Sequence, residues 1–259
     1  MTARGMWHRE TVAELLLASL LPVALVWLGL AGGAGLLRLA VFLVVAGIWH
    51  VIWMLARAQP PSLAGTVTAL ALAVLAPGDL GLLALILSTS FGVVVAELAF
   101  GGWGRNVLNP ATVALAFMGF GFPAAPWPEL PVQIGWAALP ALAIGLGTGI
   151  MAPGLVLGAL LALGAGWAAG LPVAAVFPAA AGVLALLVAD PVASASTRLG
   201  RWLNGLLYGG LVSLFLALWT GAAAVQLAVY AALFVSLAAP LCDEIAITLW
   251  LLQRKRRHG

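Results

Sequence analysis

Charge is scarce in this sequence. Only 7% of its 259 residues are Asp, Glu, Lys or Arg and 64% are hydrophobic, whereas a soluble domain carries about 25% charged residues. So few charges cannot cover a water-facing surface, so most of the surface must face lipid, and no stretch reads as a separate soluble domain. Cysteine is scarcer still. Cys242 stands alone, which excludes an internal disulfide and an iron–sulfur cluster ligated by one copy of the chain, because a cluster needs several thiolates. HExxH, the P-loop, CxxC and any paired-carboxylate arrangement are missing, and with them the motif-based hydrolytic, nucleotide-binding and thiol-redox chemistries. His50 is the one histidine set in an apolar run, so a bis-histidine haem has no second ligand; His8 and His258 lie in the tails. The net charge of +3 and pI near 9.8 do not point to nucleic acid, since the basic residues fall in tails and short loops.

What is present is a succession of apolar runs. A transmembrane helix needs about 20 apolar residues, and ten candidate spans emerge: 12–31, 36–56, 63–76, 80–100, 110–123, 131–150, one opening at Pro153-Gly154 and ending near Gly170, 172–189, 202–219 and 222–241. With the N-terminus placed in the cytoplasm and the sides alternating, Arg4, Arg9, Arg57, Arg105, Arg198, Arg201, Arg254, Lys255, Arg256 and Arg257 fall inside, and Arg38 alone among the eleven basic residues falls outside. That separation obeys the positive-inside rule and puts both termini in the cytoplasm. Trp103, Trp127, Trp202, Trp219 and Trp250 sit at span ends, as an aromatic belt requires. Span 3 (70–77) and span 8 (184–191) share a pattern, an apolar segment stopped by Pro beside an acid, and they lie five spans apart. An odd offset inverts one copy relative to the other. The expected architecture is one all-α transmembrane domain over 1–259 with two inverted five-helix repeats, at about 11–123 and 131–243, some helices short or broken.

Polar, helix-breaking residues set against apolar spans are the candidates for chemistry, because freed backbone groups cannot be left bare in lipid. Gly101 to Ala111 contains Gly102 and Gly104 for tight turns, Asn106 and Asn109 as donors and acceptors, and Pro110 suited to a first helical turn with Asn109 as its N-cap. Asp190 to Arg201 packs Asp190, Ser194, Ser196, Thr197, Arg198 and Arg201 between two spans. Taken residue by residue, a capped loop and headgroup-facing arginines explain these segments more readily than a ligand site does.

Together the segments resemble a known family. GGWGRNVLNPA is similar to the GGxGxNxFNPA motif, and DPVASASTRLGR to the TDPVxASTxxxGR segment, of the D-type membrane component of the Rnf complex and the related B-type component of the sodium-pumping NADH:quinone reductase. Ser62 to Pro77, with Thr68, resembles that family's SALxTGLLLAxxLP segment, and Ala239 to Asp243 its VPLID segment. The matches keep their order across residues 60–245. The resemblance implies a ten-helix fold of two inverted repeats, similar to urea transporters, working within a multi-subunit inner-membrane complex that moves electrons by flavins and couples this to Na⁺ or H⁺ movement. It implies flavin contacts (FMN or riboflavin) from Thr68, Gly102, Gly104, Asn106, Asn109, Asp190, Ser196 and Thr197, and partners among the flavin-bearing subunits of a redox complex. A cofactor-free channel for a small solute or cation, and a membrane anchor for a flavoprotein, remain the alternatives.

The sequence departs from the family pattern at several places. The Ser-x-Ala-Thr that carries covalent FMN is missing from the connector Phe122–Pro131, so a flavin here is expected to be non-covalent or supplied by a partner. Glu97 stands where the family often has Lys, and Ala189 replaces the Thr before Asp190. Glu97, three residues from a loop, is expected to reach water or to act as an intramembrane acid. His50 is expected at the interface, Asp243 to pair with the basic tail, and Gly145, Gly147, Gly149, Gly158, Gly164 and Gly166 to serve close helix packing.

Overall fold

The computed structural model describes residues 9–57 and 62–258, with side chains to 254; Arg4, His8 and the side chains of Lys255, Arg256, Arg257 and His258 lie outside the described residues. The described chain is helical: α1 (Arg9–Arg57), α2 (Ala64–Leu75), α3 (Leu82–Phe91), α4 (Pro110–Gly121), α5 (Val132–Gly147), α6 (Pro153–Ala168), α7 (Val173–Val183), α8 (Arg198–Leu218) and α9 (Ala224–His258). α3 runs on into a π-helical turn, Gly92–Glu97, and a 3₁₀ turn, Leu98–Phe100; α7 runs on into a second π-helical turn, Leu184–Val188. Four stretches are long and apolar enough to cross a membrane: Arg9–Arg57, Leu82–Phe100, Arg198–Leu218 and Ala224–Arg254. The shorter helices are just as apolar.

α1 contains two helices. Gly32 is non-helical (φ 59, ψ −144), a conformation open only to glycine, and it divides α1. The chain doubles back there. Glu10, before the break, and His50, after it, both reach the N-terminal end of α2, whereas Arg38 reaches its C-terminal end. α2 is thereby flanked by both halves of α1. It is the most enclosed of the short helices, with every residue but Thr66 buried. Its ends are met by complementary charge. The Leu63 amide donates to Glu10 Oε2 at 3.2 Å, and the Arg38 guanidinium donates to the carbonyls of Ala76 and Pro77. An acid at the N-terminus and a cation at the C-terminus each favour the helix dipole, by roughly 0.3–1 kcal/mol when exposed and up to about 2 when partly buried. This explains why Arg38 breaks the one-sided charge pattern: it satisfies carbonyls left open where Pro77 stops the helix.

The second half of the chain packs on glycine. α6 and α8 meet along Gly154, Gly158, Gly205 and Gly209, spaced four apart on each helix. A Cβ on Gly205 would stand 2.0 Å from the Leu155 carbonyl oxygen, and one on Gly209 2.4 Å from that of Ala159. In lipid, small residues of this kind let backbones approach and supply the packing that holds helices together. Gly145, against Met151, and Gly166, against Ser213, are filled in the same way. Gly147 and Gly164 face open space, contrary to expectation, and Gly149 instead supplies a left-handed turn (φ 75) after α5.

The tryptophans divide. Trp219 is exposed at the end of α8, as a belt requires, and Trp250 is exposed within α9, but Trp103 is buried and Trp202 lies against Gly154. Trp127 packs edge-on to Tyr230, which is itself stacked between Phe120 and Trp219.

Candidate functional site

The two polar segments meet. Asn109 caps α4 through its Oδ1, which accepts from the Thr112 amide at 3.1 Å, and Pro110 occupies the first turn where no amide is needed. The other end of the same side chain crosses to the second segment: Asn109 Nδ2 donates to Asp190 Oδ2 at 2.8 Å, and both residues are buried. Asp190 Oδ1 accepts from the Val192 amide at 2.9 Å. Both carboxylate oxygens therefore have a donor, as a buried carboxylate demands. One asparagine closes a helix end and ties together segments 81 residues apart.

The flanking residues turn to protein partners. Gly101, Gly102 and Gly104 all have φ near +90 to +105 (104, 91 and 92), which is why glycine recurs there. Asn106 stays within its own loop, accepting from the Gly104 amide and donating to the Leu108 carbonyl. Ser196 and Thr197 both bind Asp243. Its Oδ2 accepts from the Ser196 amide and hydroxyl, and its Oδ1 from the Thr197 amide and hydroxyl, at 2.6–2.9 Å. Thr197 also caps α8, accepting from the Gly200 amide. Asp243 thus turns to the second segment, where the sequence suggested the basic tail. Thr68 is buried in α2. Of the eight sequence-derived residues, the fold joins Asn109 to Asp190 and Ser196 to Thr197 through Asp243. Gly102, Gly104 and Asn106 shape the first loop, and Thr68 stands apart on α2. A flavin needs donors and acceptors facing a ring-sized space; the hydrogen-bonding atoms of Asn109, Asp190, Asn106, Ser196 and Thr197 are already engaged with the chain itself.

A second polar centre lies beside the first. Glu97 does not reach water: it is fully buried, because the π-helical turn adds a residue to the helix and rotates the acid inward. Its Oε1 lies 3.0 Å from His50 Nε2, while His50 Nδ1 lies 2.8 Å from the Ala46 carbonyl. His50, expected at the interface, is mostly covered, with 15% of its side chain exposed. A Cβ on Gly65 of α2 would lie 3.0 Å from the His50 ring, and one on Gly92, where the π turn begins, 2.5 Å from the Pro110 carbonyl. The pairing of His50 with Glu97 was not legible from spacing. The Glu at a position where the family often has Lys was the available signal.

A protein-family model for the "NQR2, RnfD, RnfE family" matches residues 5–156. The B-type component of the Na(+)-translocating NADH-quinone reductase of Yersinia pestis is 39% identical over 123 residues, covering 46% of this chain and 29% of that protein. Its counterpart from Stutzerimonas stutzeri (strain A1501) is 36% identical over 116 residues, covering 43% of this chain and 28% of its own length. The counterpart from Neisseria meningitidis serogroup B is 40% identical over 85 residues, covering 33% and 21%. The chain matches less than a third of the length of each of these relatives. With a family match over more than half of its residues, the chain belongs to the NQR2, RnfD, RnfE family.

Proposed function

We propose that this chain is a membrane subunit of an electron-transport assembly of the NADH-quinone reductase and Rnf type, in which electron passage is coupled to Na⁺ or H⁺ movement. The observation that carries the reading is the buried Asn109–Asp190 hydrogen bond, which unites the two family motifs in one junction. Family membership and the apolar helices support it. Ten membrane passages in two inverted halves, about 11–123 and 131–243, with both termini on the cytoplasmic side of the inner membrane, complete the proposal. Two features support that architecture. α1 is two helices joined at Gly32, and the two short Pro-stopped segments, α2 and the π turn of α7, touch in the core.

The flavin in this reading is carried by a partner subunit. The hydrogen-bonding atoms of Asn106, Asn109, Asp190, Ser196 and Thr197 are engaged internally, so these residues are proposed to lock the junction against which that partner works. The flavin supplies the redox chemistry; this chain holds the membrane scaffold in register. The test is purification of the tagged full chain from its own host after mild solubilisation. The expected result is a flavin-containing assembly with NADH–quinone reductase activity that is absent from membranes of the deletion strain. Unchanged activity in deletion membranes overturns the proposal. The chain stripped of partners is expected to be colourless, and flavin at one per chain would overturn the assignment of the cofactor to a partner.

A further inference from the structure

The His50–Glu97 pair lies outside both motifs, and nothing in the junction uses it. Its geometry fixes its protons. The Ala46 carbonyl can only accept, so the hydrogen bond at 2.8 Å requires a hydrogen on His50 Nδ1. His50 Nε2 then faces Glu97 Oε1 at 3.0 Å. A neutral imidazole with its hydrogen on Nδ1 presents a lone pair at Nε2, and a carboxylate presents lone pairs too. Two lone pairs do not hold each other at hydrogen-bond distance, so one proton must sit between them, on Nε2 or on Oε1. Either placement leaves the pair neutral overall. Loss of that proton leaves one negative charge on a fully buried carboxylate, an expensive state.

We propose that His50 and Glu97 form a proton-binding site, holding one exchangeable proton between Nε2 and Oε1 that enters and leaves through the partly exposed imidazole. Three further observations support it. Glu97 is delivered by a π-helical turn, a local distortion that recurs at functional sites. Among the described residues its second oxygen, Oε2, has no hydrogen-bond partner although it is buried. A purely structural carboxylate would have both oxygens bound, as Asp190 does. Lastly, exposure is graded, with 15% of the His50 side chain accessible against none of Glu97, so the imidazole is the more accessible member of the pair.

The charged groups around the pair are few. The first half of α1 contributes Glu10, which Arg9 and the Leu63 amide engage. α2 contributes no titratable group at this point, only Gly65 against the ring. The segment after α7 contributes Asp190, close enough to interact electrostatically with Glu97. On the same helix as His50, Arg57 stacks over Trp53 at 4.8 Å. Unloading the site therefore places a negative charge beside Asp190, so the state of the proton is felt at the junction. This deepens the proposed function by naming a proton site next to the two motifs, yet it needs no flavin and no partner.

The test is nitrogen NMR of the full chain, labelled at its histidines, in lipid nanodiscs, with the His50 signal identified by its loss in His50→Gln. In the unmodified chain the Nε2 resonance is expected to report a shared proton, lost in a single step as pH rises. In Glu97→Gln the titration midpoint of His50 is expected to move by about one pH unit or more, a tenfold change in proton affinity. Coincident midpoints in the two proteins overturn the proposal. So does an Nε2 that is neither protonated nor hydrogen-bonded at any pH in the unmodified chain, a result that needs no variant to fold. The measurement reads one ring nitrogen, so its failure is separate from failure of the co-purification experiment.

Discussion

Asp190 and Glu97 are two buried acids, each lying at or just beyond the end of a π-helical turn, and the chain treats them differently. Asp190 has a donor at each oxygen, the Val192 amide and the Asn109 side chain, and the latter is anchored in turn by the Thr112 amide. Glu97 has one contact, a histidine that can give or take a proton, and a second oxygen with no partner among the described residues. The first arrangement suits a fixed ion whose donors cannot titrate; the second suits a group whose proton comes and goes. Burial alone does not distinguish a structural carboxylate from a working one. The chemistry of the donors does.

The sharpest way to break the contrast is to strip Asp190 of a donor. Asn109→Leu removes the amide that reaches Oδ2 and the N-cap of α4 at once. Leaving a buried carboxylate oxygen without its donor costs about 1–3 kcal/mol or more, and loss of a cap adds about 1. The expected outcome is a large fall in the thermal midpoint in detergent, or no recoverable folded protein. A midpoint within a degree or two of the parent would mean that the junction bond is not structural. Asp190→Asn is milder. The new amide still accepts from Val192, but its NH₂ then faces that of Asn109, two donors without an acceptor. A loss of about 1–3 kcal/mol follows, measurable in the same melt, and the double variant with Asn109→Asp is expected to recover part of it by restoring a donor–acceptor pair.

The sequence made the outline of the fold legible because lipid imposes it. Apolar runs of span length located the helices, and Asn109-Pro110 announced the start of α4 through cap chemistry that needs no tertiary context. The site was legible in part. The motifs identified Asn109 and Asp190, but not that one would bond the other, since a contact across 81 residues leaves no local trace. For Glu97 the sequence left two readings open, a path to water and an intramembrane acid, because it stands three residues from a loop; the buried position agrees with the second. A π turn changes the facing of every residue after it, and no spacing rule applied to Gly92–Glu97 anticipates that insertion. Arg38 looked like an exception to charge asymmetry until its acceptors, the carbonyls at the end of α2, were in view.

The smallest expected effect is the one that separates the two acids most clearly. Glu97→Gln keeps the shape of the side chain and keeps a partner for His50, because a glutamine amide can donate to Nε2 or its oxygen can accept from it. The site was neutral with its proton and is neutral with an amide, so no buried charge is created or stranded. Stability is expected to stay within about 0.5 kcal/mol of the parent, the low end of what one net hydrogen bond contributes. The corresponding change at Asp190 costs several times more, because there the donors are backbone and asparagine amides that cannot reverse their role. Melting both variants side by side in the same lipid decides the matter. Equal losses at the two positions would show Glu97 to be a second fixed ion, and would remove the reason to regard its unpartnered oxygen as anything but a cost of packing.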